Sequence, residues 1–347
     1  MRKKLLAGIL ALALCSTNMP LQTIFAEEFT SGNPDVVSEE ETPEIFTNEE
    51  QETAGETDEE LSVFSSEEVP EFNDTPDEAM AAAENAQNGV IDLTDDTKVT
   101  DGVYTITSAG DYKFTCSSQE TVNRIVVDVK NTSKQDNINI YLDNVNIKTS
   151  DGPALHINSN VQAQVYIYLK GNNKLFSESG TAAALQKDNK AKLTIDNSDN
   201  SSKNIGKLIA TASYGAGIGG GFGNTGRNIT ISGGSVTATS GSGAGIGGGQ
   251  GETGSDITIS GGSVTATSGS GAGIGGGSNR GSDKGSGSDI TIRGGSVTAT
   301  SSSGAGIGGG SNKGSGSDIT ISGGSVTATS TFGAGIGGGH NRGSGSD

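Results

Sequence analysis

The chain has no tryptophan, only two histidines, two cysteines and six prolines in 347 residues. Each shortage excludes something. Cys15 lies in an apolar N-terminal run and Cys116 stands alone in the remainder, so no intrachain disulfide framework is available. His156 and His340 are too few and too far apart for a histidine metal site. No proline follows Pro153, although 47 of the 147 residues from Ser201 onward are glycine, and this excludes collagen, which needs much proline and a glycine at every third position. Aromatic residues after Ser201 are limited to Tyr214, Phe222 and Phe332, so that region lacks the usual stacking grip on neutral sugars.

Long hydrophobic runs are also missing. Leu5 to Leu14 is apolar but too short to span a bilayer. With the basic start Met1-Arg2-Lys3-Lys4 and the small Ala26, it reads as a secretory signal peptide over residues 1–26. A lipid-modified Cys15 is the weaker alternative, because Leu14 stands where a small residue is expected. The expected location is outside a bacterial cell, secreted or on the surface, with no membrane span.

Basic residues are absent between Glu27 and Glu84, where 21 acidic residues occur. Residues 88–347 carry 20 acidic and 19 basic side chains, so the net charge of −19 belongs almost wholly to that one segment. No apolar period persists through it, and it cannot bury enough surface to offset its chain entropy. Residues 27–87 are therefore expected to be a disordered acidic spacer. With no dense basic patch elsewhere, nucleic acid is not an expected partner.

What is present is a repeat. GAGIGGG begins at Gly215, Gly243, Gly271, Gly304 and Gly333, at spacings of 28, 28, 33 and 29 residues. Between copies runs ITISGGSVTATS, with Arg293 replacing the serine in one copy. A period of this size marks a solenoid, and the extra residues of the longest interval fall in one loop, SNRGSDKGSGSD. Alternation reads as three short strands per unit. Ile257 and Ile259, Val264 and Ala266, and Ala272 and Ile274 point inward; Thr258, Thr265 and Thr267 point out. A flexible Gly/Ser linker would not keep that alternation.

The pattern predicts an all-β fold, a right-handed parallel β-helix with three short strands per rung and rungs of about 28 residues. Upstream, Ile138, Val165 and Leu193 begin similar units 27 and 28 residues apart. Residues 88–200 are expected to form irregular N-terminal rungs and a cap, and residues 201–347 the regular rungs of the same β-helix. Ser346-Asp347 are the residues that precede an ITI strand in other copies, so the chain is expected to be a fragment of a longer protein.

The ITI–GG–SVTA–GAGIGGG units, behind INIYLDNVNI, GPALHI and VYIYLKGNNKL, resemble a family of clostridial and gut-bacterial surface proteins. Those are carbohydrate-binding domain-containing proteins with a polysaccharide-lyase-like right-handed β-helix. The resemblance covers about residues 88–347. It implies the fold and a polysaccharide ligand, with acidic sugars among the candidates; no family-wide catalytic motif can be matched to residues here.

Three surface features could carry chemistry. Asp256, Asp289 and Asp318 recur once per unit before the ITI strand, and turn chemistry is the expected role. A calcium ladder is the sharper alternative, and calcium is the one cofactor considered. The pairs Thr237/Thr239, Thr265/Thr267, Thr298/Thr300 and Thr327/Thr329 predict two columns on one flat face, a hydroxyl comb for a glycan chain. Soluble strand propensity is the plain alternative, and ice binding a minor one. Arg280, Lys313 and Arg342 follow GIGGG in three copies and predict a cation row along one edge, with Arg227 farther back. Near-identical rungs offer no distinct constellation, so the chain is expected to be non-catalytic, with polysaccharide lyase activity left open. The functional expectation is polysaccharide binding; a structural adhesin stalk or spacer is the alternative.

Overall fold

The computed structural model describes residues 89–117, 119–188, 190–198, 204–279 and 285–346. The signal peptide and acidic spacer expected over residues 1–87 lie outside the described residues, as does Arg280. Among the described residues the strands form three sheets of 11, 7 and 9 members, and every pairing between named strands is parallel. The chain visits the sheets in a fixed order. One regular rung runs Gly254–Ile259 in the first sheet, Ser263–Ser268 in the second and Ile274–Gly275 in the third. This is a parallel β-helix.

The register follows the sequence repeat residue for residue. Ile257 and Ile259 lie between Ile229 and Ile231 of one rung and Ile290 and Ile292 of the next. Ile257, Ile259, Val264, Ala266, Ala272 and Ile274 are all buried as expected, none more than 1% exposed. Each Ile or Val burial contributes about 1.5–3 kcal/mol, and neighbouring rungs supply nearly all the contacts. Ser240, Ser268 and Ser301, also buried, each donate from Oγ to a glycine carbonyl of the preceding rung, at 2.7 Å.

Glycine is required where rungs touch. Gly275 has a φ of +131°, and a Cβ there would strike the carbonyl of Gly308 in the next rung. Complete three-strand rungs begin with Asn137–Asp143, Asn146–Thr149 and Leu155–Ile157. Before them, Val90–Asp92 and Val103–Ile106 pair in the first and third sheets, and the second sheet is represented only by an isolated bridge from Thr121 to Ile147. Bulkier side chains fill this end: Phe114 is fully buried, with the Tyr104 ring edge-on at 5.1 Å.

Candidate functional site

The second sheet presents the threonine comb. Thr237, Thr265, Thr298 and Thr327 are in register, as are Thr239, Thr267, Thr300 and Thr329. Their neighbours Val236, Ala238, Val264, Ala266, Val297 and Ala299 are buried, so the hydroxyls stand on the outer side. Thr300 Oγ1 and Thr329 Oγ1 are 3.3 Å apart, which shows how closely the rungs bring them. A third column, Ser235, Ser263, Ser296 and Ser325, lies alongside. Upstream the columns continue into Ile209 and Thr211, then Lys174 and Phe176. The Lys148 ammonium lies 5.7 Å from the Phe176 ring centre and 3.0 Å from Glu178.

The aspartates fulfil a backbone role. Asp256, Asp289 and Asp318 have φ values of 52°, 52° and 51°, and Asn228 precedes them at 55°. Asp and Asn tolerate this left-handed conformation better than other side chains, which accounts for their recurrence just before the strand. Among the described residues, no group of three His, Cys, Asp or Glu is placed to hold a metal ion.

Of the cation row, Lys313 and Arg342 lie among the described residues. The Lys313 amide donates to the Asn341 carbonyl, and Asn341 Nδ2 donates to Asn312 Oδ1 at 3.0 Å, so Lys313 and Arg342 occupy equivalent places in adjacent rungs. Arg227 lies on the same corner of the solenoid but inside a first-sheet strand, opposite Ser255.

The upstream part of this corner carries further basic side chains. Lys134, Lys190, Lys192 and Arg227 line one groove of about 690 Å³. Its walls are loops of successive rungs laced together by amide side chains. Gln164 Nε2 donates to the Lys134 carbonyl at 3.3 Å and Asn228 Nδ2 to the Lys190 carbonyl at 2.7 Å. Thr132 Oγ1 accepts from the Gln162 amide at 3.1 Å. Asp188, also in the wall, accepts from Gln186 Nε2 at 2.8 Å and Asn224 Nδ2 at 3.2 Å and pairs with His156 Nε2 at 2.7 Å. Burial pushes the Asp188 carboxyl up, but the hydrogen bonds from His156, Gln186 and Asn224 outweigh it and hold the carboxyl below its ordinary range. Beside it Lys187 is 1% exposed. Burial, with the Arg227 charge adding to it, brings the Lys187 ammonium down to about 7.

Sequence reasoning passed over these residues. The run Lys187-Asp188, then Lys190-Ala191-Lys192, was available as a local charge cluster, but only the ladder brings Lys134 and Arg227 beside it. Tyr141 and Tyr168 align between rungs and stack at 4.9 Å, with the Tyr166 ring 6.3 Å from Tyr168.

Four stretches, residues 229–250, 257–278, 290–311 and 319–340, match the beta helix repeat family. Comparison with curated proteins gives no match. Among solved structures the chain is similar to a polysaccharide lyase-like protein from C. thermocellum, crystallised as a gadolinium derivative. That similarity is 18% identity over 66% of this chain and 85% of the other, with a TM-score of 0.38.

Proposed function

We propose that this chain is an exported, non-catalytic polysaccharide-binding β-helix whose contact surface is the threonine face of the second sheet. The observation that carries the reading is the register of the two threonine columns through four consecutive rungs. Hydroxyls repeat about every 4.8 Å from rung to rung and about 6.6–6.8 Å along each strand. Such an array can donate to and accept from a glycan chain at many points, each weak, with affinity gained through their number. Because every rung repeats the same groups, the face suits a repeating ligand and offers no single reacting centre. The resemblance of the repeat units to carbohydrate-binding surface proteins supports the same ligand class.

The test is retention of the full chain on immobilised neutral and acidic polysaccharides. Replacing Thr237, Thr239, Thr265, Thr267, Thr298 and Thr300 by Val should abolish retention on neutral glycans while the circular dichroism spectrum is unchanged. Retention that survives these substitutions would remove the comb from the reading. An intact chain retained on no polysaccharide would leave the stalk as the better description.

A further inference from the structure

We propose that the groove lined by Lys134, Lys190, Lys192 and Arg227 is a binding site for an anionic polysaccharide, distinct from the threonine face. This rests on the polysaccharide reading above and names the charged class of ligand and the place that takes it.

Three observations carry it. First, the groove concentrates positive charge in a folded region that is otherwise balanced, with 20 acidic and 19 basic residues over 88–347. The ion pairs Lys148–Glu178, His156–Asp188 and Lys170–Asp143 involve none of the four groove cations. Among the described residues Asp188 is the one acidic side chain in the lining, and its oxygens are already engaged by His156, Gln186 and Asn224. Four cations facing one space that holds a single carboxylate among its described residues repel one another, and an anion relieves that repulsion.

Second, the site is built in advance. Gln164 and Asn228 tie the loops of neighbouring rungs through the Lys134 and Lys190 carbonyls, so the cations sit on fixed backbone. Little ordering remains to be done when a ligand enters. The volume of about 690 Å³ suits a few sugar rings better than a lone inorganic ion.

Third, the arrangement is particular to this part of the helix. In the regular rungs, the place of Arg227 is held by the uncharged Ser255 and Ser288. The buried Lys187 registers the same excess: the Arg227 charge adds to burial in destabilising its ammonium form. An anion at Arg227 would ease that cost. The amides of Gln162 and Gln164 and the hydroxyl of Ser159, also in the lining, provide the neutral donors and acceptors that sugar hydroxyls need.

The experiment is titration of the full chain with polygalacturonate, dextran sulfate, fully methyl-esterified pectin and inorganic polyphosphate at two salt concentrations. Binding to one or both anionic glycans should weaken with salt, since exposed charges are screened over about 8–10 Å. The polygalacturonate and dextran sulfate arms separate a carboxylate from a sulfate ester as the recognised group. Combining Lys134→Gln, Lys190→Gln, Lys192→Asn and Arg227→Ser should weaken anionic-glycan binding about tenfold or more and leave the threonine-face interaction with neutral glycan unchanged. Arg227→Ser alone installs the residue that sister rungs carry, so it keeps the proposal testable if the combined variant folds poorly; it should lose about threefold or more. The proposal is overturned if the groove variants bind as well as the parent, or if polyphosphate binds as tightly as the acidic glycans. It is also overturned if neutral glycan is bound and no acidic one is, a result under which the polysaccharide reading itself stands. Failure of every glycan would sink both.

Discussion

Asn173 and Ser268 both satisfy buried backbone groups between rungs, but by different means. Asn173, in the irregular region, accepts from the Val145 amide and donates to the carbonyls of Lys170 and Lys207, so one side chain spans three rungs. Ser268, in the regular region, makes one bond to Gly243, and its counterparts repeat that bond in each neighbouring rung. The same contrast holds in the core. Before residue 200 it contains Phe114, Leu142, Leu155, Leu169 and Leu185; after 210 it is built from Ile, Val and Ala. Where each rung solves its packing separately, the corners differ and a groove with its own chemistry can form. Where one solution is repeated, the surface becomes a uniform array.

The comparison can be broken most forcefully at glycine. Gly275→Ala should cost about 3–5 kcal/mol, combining positive-φ strain with collision against Gly308, as measured by denaturant unfolding. Gly180→Ala in the irregular region, where the nearest atom to a Cβ is 3.9 Å away on the Tyr214 ring, should change stability by under about 1 kcal/mol. Equal costs would mean that close rung contact is not what selects glycine downstream.

The next largest effect is in the core. Ile259→Ala and Ile195→Ala both empty a fully buried position, and each should cost about 2–5 kcal/mol. Ile259 should lie at the upper end, because its surroundings are short, β-branched or glycine-bound and collapse poorly. Ile195 borders Leu-rich rungs that can relax into the space. The opposite order in chemical denaturation would contradict a rigid repeat.

Lys187 gives an effect of opposite sign. Its ammonium is brought from 10.5 to about 7 in the fold, chiefly by burial. Between those values the unfolded chain holds a proton that the folded chain has released, so stability should rise with pH from about 7 to about 10.5. Below pH 7 both states are protonated, and the whole cost, on the order of a few kcal/mol, is present. Lys187→Met should remove the pH-dependent rise and raise the melting temperature at pH 6. A variant with the parent's pH profile would assign the slope to other groups.

Smallest of all should be the comb. Thr265→Val or Thr267→Val alone replaces an outward hydroxyl on a strand and should shift stability by no more than about 0.5 kcal/mol in thermal melts. A loss of several times that would show that the columns serve folding, and would weaken the case for a recognition surface.

Much of this was legible in the sequence because repetition makes it so. The alternation in Ile257-Thr258-Ile259 and Val264-Thr265-Ala266 specifies inward and outward sides, and a constant spacing aligns like residues between rungs. The threonine columns follow from those two facts alone. The groove does not, because Lys134, Lys190 and Arg227 share no repeat position and belong to different rungs. The tyrosine stack was half visible: Tyr141 and Tyr168 stand 27 residues apart, the local period, yet the sequence does not say that their rings lie parallel.

Spacing and alternation along the chain are enough to specify the period, the inward residues and the all-β, parallel architecture, since only stacked similar units can bury six aliphatic side chains per rung. The left-handed turn at Asp256, the contact that demands glycine at Gly275 and the gathering of four cations into one groove arise when the rungs stack. Each depends on where one rung's atoms fall against the next, and that distance is set by the stack as a whole, not by any residue's neighbours along the chain.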